Sequence, residues 1–185
     1  MTMQLNGWDV AALNEAIDAV RQQPEAGRLT WRSRVSWDGG FGLDVRTEEI
    51  EQLGQTMPRR FTLRGDHPPE LLGANTGPTA IETVMAALGS CMAGAFAAQA
   101  TARGVEIRRL EVDVQAAIEL NGFFGLQPVR PGLSDVTLTF HVDSDADRTA
   151  LAEILEAARS LSPVFDTVTQ PVEVETRLRP AGGRA

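Results

Sequence analysis

The sequence predicts an α+β fold in which antiparallel sheets surround one long central helix. Three observations carry this. Apolar and polar residues alternate at period two through several short segments, apolar residues recur at helical spacing through two others, and an uncharged run rich in alanine and glycine occupies the middle of the chain. Several strand segments are joined by connections of hairpin length, which argues antiparallel pairing.

Taken in order, residues 6–23 place Trp8, Val10, Leu13, Ile17 and Val20 near helical spacing, an amphipathic helix that ends by Pro24 and Gly27. Leu29, Trp31, Ser33, Val35 and Trp37 then alternate with polar residues. A turn signal follows at Asp38, Gly39 and Gly40, and Phe41, Leu43 and Val45 resume the alternation, so 29–46 reads as a β-hairpin. A short strand covers Arg60 to Arg64, and Gly, Pro and Asn from Gly65 to Ala80 mark an ordered loop. The uncharged helix runs from Pro78 or Thr79 to Ala102, with Pro78 suited to its first turn and Gly104 to its end. Strands are expected over 105–118 and 136–142, with a loop from Asn121 to Ser134 between them. Ser144 or Asp145 caps a last helix with the stripe Leu151, Ile154, Leu155, Ala158 and Leu161, and Val172 to Leu178 forms a final strand. At 185 residues the chain fits one principal domain, 28–185, preceded by a helical extension over 1–27.

Composition excludes much chemistry. All 17 basic residues are arginine, so Schiff-base catalysis and a P-loop lysine are impossible. Two histidines and one cysteine cannot complete a structural zinc site, and no cofactor is expected. One cysteine permits no internal disulfide, which suits a reducing compartment, and no secretory signal is readable, so the expected location is the cytoplasm. A formal net charge of −8 with dispersed arginines disfavours nucleic acid as a partner. Thr83 to Ala102 has membrane-spanning length, but its alanines, glycines and polar interruptions read as a buried helix of a soluble protein rather than a membrane span.

That helix offers small residues on nearly every face. It must be approached closely on several sides, which points to a centre of packing and to a symmetry-related copy of itself. The stretch GPTAIETVMAALGSC at 77–91 resembles the G-P-x-P-x-E-x-x-L-x-A-L-x-x-C signature of OsmC-like proteins, the osmotically inducible and organic-hydroperoxide-resistance proteins. It differs at Ala80 and Met85. DHPPELLGANTGP at 66–78 is similar to their lead-in loop, and SPVFDTVTQPVEV at 162–174 to their C-terminal segment.

The resemblance implies the OsmC-like fold and an intertwined homodimer with its sites at the subunit boundary. It also implies reduction of organic hydroperoxides by a thiolate on the central helix, with the thiol at Cys91 and an orienting acid at Glu82. The position of the relatives' resolving cysteine holds Ser162, so an oxidised Cys91 would need an external thiol reductant. The relatives' activating arginine lies in the first hairpin turn. Here that turn contains Phe41, leaving Arg32, Arg34 and Arg46 as candidates.

From the residues alone, Cys91 reads as a small buried hydrophobe unless an electropositive site surrounds it. Glu82 reads as a first-turn acid favoured by the helix dipole. The two are about 13 Å apart along an ideal helix and about 180° around it, so they meet only if two subunits supply them or the first turn is distorted. Ser162 ends the last helix, His67 is a turn residue, His141 lies on a solvated strand face, and Phe123 with Phe124 anchors a loop or covers a pocket. Two functions compete: a cytoplasmic one-cysteine peroxidase, and a non-catalytic protein holding a small apolar ligand beside Cys91.

Overall fold

Asn6 and Gly7 turn the chain with positive φ (51° and 80°) between two-residue strands β1 (Gln4–Leu5) and β2 (Trp8–Asp9) in the computed structural model, which describes residues 4–180. The expected first helix therefore starts later than residue 6. Trp8 belongs to β2, and Asp9 caps α1 (Val10–Gln22) by accepting from the Ala11 and Ala12 amides. The Asn6 side chain reaches the far end of the central helix. Its Nδ2 donates to Thr101 Oγ1 at 3.0 Å and to the Val105 carbonyl at 2.9 Å, and its Oδ1 accepts from the Ile107 amide at 2.8 Å.

The hairpin forms as β3 (Leu29–Gly39) and β4 (Gly42–Gln52), but β4 runs six residues beyond the expected end at 46 and pairs along its length with β5 (Gln55–Pro58) and β6 (Thr62–Gly65). The missed β4–β5 turn uses Leu53 and Gly54, both at positive φ (50° and 75°). Leucine is a poor advertisement for that backbone region, which is why the sequence hid the turn.

Directly paired residues share a sheet face. One face therefore collects Trp31, Val35, Trp37, Leu43, Val45, Ile50, Met57 and Leu63, while Arg32, Arg34, Asp44, Arg46, Glu49 and Arg64 take the other. The apolar face is largely open in the single chain: Trp31 is 66% and Trp37 72% exposed.

The central helix α2 (Ala80–Ala102) opens with a capping box in which Thr79 and Glu82 satisfy each other's backbone amides. Pro78 precedes this cap rather than occupying the first turn, and its carbonyl accepts from the Asp66 amide. Gly104 follows the helix at φ 69°. Two strands, β7 (Arg109–Ala117) and β8 (Ser134–Asp143), pair antiparallel, joined through a single helical turn, α3 (Leu120–Phe123). β7 starts later than Val105 because Asn6 claims the intervening backbone.

Helix α4 (Arg148–Leu161) is capped by Asp147, not by Ser144 or Asp145: Ser144 instead donates to the Glu106 carbonyl and Asp145 pairs with Arg108. A short α5 (Pro163–Thr169) follows at once. The core sits between α2, α4 and the β7–β8 face, around Phe96, Ala100, Ile154 and Ala158, with Phe140 packed on Phe96. Gly89 lets β7 come close, since a Cβ there would stand 2.9 Å from Val114 Cγ2.

The expected final strand is absent. Val172 to Leu178 keeps its alternation but pairs with no strand among the described residues, and Val174 is 77% and Leu178 90% exposed. A compact protein of 20.0 kDa exposes about 8,700 Å². This chain exposes 13929 Å².

Candidate functional site

Cys91 lies half-buried on α2, and the junction of α4 and α5 brings Ser162 against it. Ser162 ends the first of these helices, as its sequence implies, and its hydroxyl caps the second by accepting from the Phe165 amide at 3.3 Å. The same hydroxyl donates to Cys91 Sγ at 3.2 Å, although 71 residues separate the two. Ser162 is 1% exposed, so this contact is shielded from water. From the residues alone Ser162 reads as a helix terminator, and the resemblance, which puts the relatives' resolving cysteine at this position, is what implied its nearness to Cys91. The signal available was the SPVFD segment.

Glu82 is exposed and does not meet Cys91. Its Oε2 accepts from the Thr79 amide at 2.7 Å, and that bond, followed by the Thr79 hydroxyl and the charge of His67, holds its carboxyl below the ordinary range. The first turn is regular helix, so a distorted turn does not bring acid and thiol together within one chain.

The lead-in loop is organised by Asp66, 4% exposed, whose carboxylate accepts from the Thr76 hydroxyl and from the amides of His67, Ala74 and Thr76. The Thr76 hydroxyl and these amides lower its pKa to about 2. Gly73 is required by the tight path of this loop, because a Cβ there would fall 1.9 Å from the His67 carbonyl oxygen.

The His67 ring stacks on Phe41 with centroids 4.0 Å apart and planes within 2°. Arg64 bonds Asp38 at 2.6 Å, Asp44 at 3.1 Å and Thr76. The first hairpin turn is thereby docked on the loop that leads to Glu82.

None of the three candidate arginines bonds the thiol. Arg32 pairs with Glu49 and Glu51, Arg34 pairs with Glu48 at 2.9 Å, and Arg46 lies opposite Arg34 with no ion pair among the described residues. His141 lies exposed across the sheet from Asp113, 2.8 Å away. Phe123 and Phe124 stack edge to face on the surface, both more than half exposed. Among the described residues no cluster of three or more His, Cys, Asp or Glu stands ready to hold a metal.

Two depressions flank α2. A shallow groove of about 390 Å³ follows Met85, Gly89 and Ala93 against Val112 and Val114. A more enclosed cleft of about 490 Å³ lies between Leu88, the start of β8 and Phe165, with Arg130 on its wall. Nothing in the sequence singled out Arg130, one arginine among 17.

The family model described as OsmC-like protein matches residues 73–177, more than half of the chain. An OsmC-like protein from Mycoplasma pneumoniae superposes with a TM-score of 0.60 at 15% identity, covering 76% of this chain and 87% of its own. The organic hydroperoxide resistance protein OsmC of Legionella pneumophila gives a TM-score of 0.53 at 14% identity, with 75% and 88% covered. An OsmC-like protein of unknown function from Vibrio cholerae gives 0.54 at 12%, with 75% and 92% covered. No curated protein matches the chain. At these identities the structural likenesses establish the fold. By length and composition α2 could cross a membrane; here it packs against β7, α4 and α5, but in the single chain only six of its 23 residues are buried, fewer than the expected buried helix implies.

Proposed function

The chain belongs to the OsmC-like family, and from that premise we propose that it is a cytoplasmic, homodimeric thiol peroxidase for organic hydroperoxides that works with one cysteine. The observation that carries the reading is the 3.2 Å contact between Ser162 Oγ and Cys91 Sγ. The resemblance places the relatives' two thiols at these positions, and the two side chains touch here. In the proposed reaction the Cys91 thiolate attacks the outer peroxide oxygen and the O–O bond breaks. The alkoxide leaves and takes up a proton as an alcohol, and the sulfur is oxidised to sulfenic acid. Ser162 holds no sulfur. One external thiol therefore condenses with the sulfenic acid, releasing water, and a second displaces the mixed disulfide and restores Cys91.

Dimerisation is supported by the open apolar sheet face, by the unpaired alternating segment 172–178, and by surface far in excess of a compact monomer. In such a dimer Glu82 would act on the thiol of the other copy. A second reading, a non-catalytic protein that holds a small apolar ligand, draws on the Phe41–His67 stack at the turn where the relatives carry arginine, and on the absence of a guanidinium bonded to Cys91 among the described residues.

Mass spectrometry after treatment with cumene hydroperoxide tests the first reading. The wild type is expected to gain oxygen at Cys91 with no internal crosslink, and Ser162→Cys to lose two hydrogens by forming a 91–162 disulfide. An unmodified Cys91, under conditions that oxidise a small free thiol, overturns it.

A further inference from the structure

We propose that the cleft between α2, β8 and α5 binds a monocarboxylate with a medium-length aliphatic chain, its carboxylate held by Arg130. The cleft, about 490 Å³, falls within the roughly 300–1,000 Å³ of small-molecule sites. Leu88 supplies its floor from α2, Val136 and Leu138 project from one face of β8, and Phe165 closes it from α5. Among the described residues the exposed Arg130 is the one basic group on this wall, and it has no ion-pair partner. Its guanidinium folds over Gly132, where a Cβ would stand 3.3 Å from Nε. Asp135 also lines the cleft but makes no ion pair with Arg130, so it does not neutralise the guanidinium directly.

An arginine at the rim of an apolar cleft suits a planar anion with an apolar tail, because the guanidinium fork matches a carboxylate while the chain covers the leucine, valine and phenylalanine surfaces. The protein's −8 charge repels anions in general. Binding of an acid in preference to the corresponding alcohol would therefore report this local guanidinium.

The cleft lies beside the thiol by two routes. Leu88 is one helical turn before Cys91, and the Phe165 amide bonds the Ser162 hydroxyl that touches the sulfur. The inference rests on the ligand-holding reading of this region and names its ligand. It does not require peroxide chemistry.

Calorimetric titration of the full chain with octanoate, octan-1-ol and octylamine holds the tail constant and varies the head. Octanoate is expected to bind about tenfold more tightly than the alcohol, the size of one charge-assisted interaction. Arg130→Gln should remove that difference, and Arg130→Lys should keep part of it. Equal binding of acid and alcohol, tightest binding by the amine (which would mark Asp135 as the recognising group), no octanoate binding, or no effect of Arg130→Gln would each overturn the proposal. Peroxide treatment of the wild type beside this titration separates the two readings. Octanoate binding with an unoxidisable Cys91 in the wild type removes the peroxidase alone, and peroxide-oxidised Cys91 without octanoate binding removes this ligand alone.

Discussion

Two sheets in this molecule follow one sequence rule and meet different fates. In β7–β8 the inward residues, among them Leu110, Phe140 and Val142, are covered by α2 and α4 of the same chain and join a core in which Phe96, Ala100, Ile154 and Ala158 are at most 1% exposed. In β3–β6 the alternation is just as regular, yet Trp31, Val35 and Trp37 remain more than half exposed. Alternation announces that a sheet has an apolar face. It says nothing about which chain will cover it. The β7–β8 face finds its cover within the chain, whereas the N-terminal sheet has none among the described residues, and the dimer proposed above would supply it.

The sharpest way to break this contrast is in the closed half. Ile154→Ala removes a fully buried side chain and is expected to cost about 2–5 kcal/mol, with the loss appearing in denaturant unfolding at every protein concentration. An effect confined to high concentration would mean that this core, too, depends on assembly.

In the open half, Trp37→Ala should weaken self-association by about thirty-fold or more, the scale of an interface hot spot, while far-UV circular dichroism stays unchanged. Sedimentation equilibrium reads it directly. The wild type should sediment at twice 20.0 kDa, and a monomeric wild type at micromolar concentration would remove the contrast altogether.

The smallest expected effect lies in the joint between the halves. The Asp66 carboxyl titrates at about 2 in the fold against an ordinary 3.8. A lowered carboxylate pKa adds stability that is complete above about pH 4 and is lost as pH falls through about 2. Asp66→Asn should flatten the stability–pH curve in that window. An unchanged slope there would show that the loop is not held by this charge.

The same contrast explains what could be read in the sequence. Both hairpin partners, the long helix and its glycine terminus were legible because each is a local pattern: Asp38-Gly39-Gly40 makes a turn, and Gly104 stops a helix. The Leu53-Gly54 turn was not, since its first residue adopts a left-handed backbone that leucine rarely signals. The final strand failed for another reason. Its alternation is present, but pairing is a property of two segments, and among the described residues no strand pairs with it.

Among site residues, Glu82 was legible as a helix-capping acid. The Ser162–Cys91 contact was not legible from composition or spacing, because it depends on how α4 and α5 fold back on α2. Arg130 was illegible altogether, being defined only by the cleft it borders.

Time enters through Asn6. Its three hydrogen-bond partners lie 95, 99 and 101 residues downstream, at Thr101, Val105 and Ile107. At about 5–20 residues per second of synthesis, this amide leaves the ribosome roughly 5–20 seconds before anything it binds exists. During that interval α1 emerges with none of its residues able to find the cover it lacks even in the finished chain. Asn6 is thus made well before it can be secured, and the end of α2 is latched by a segment that has been waiting for it.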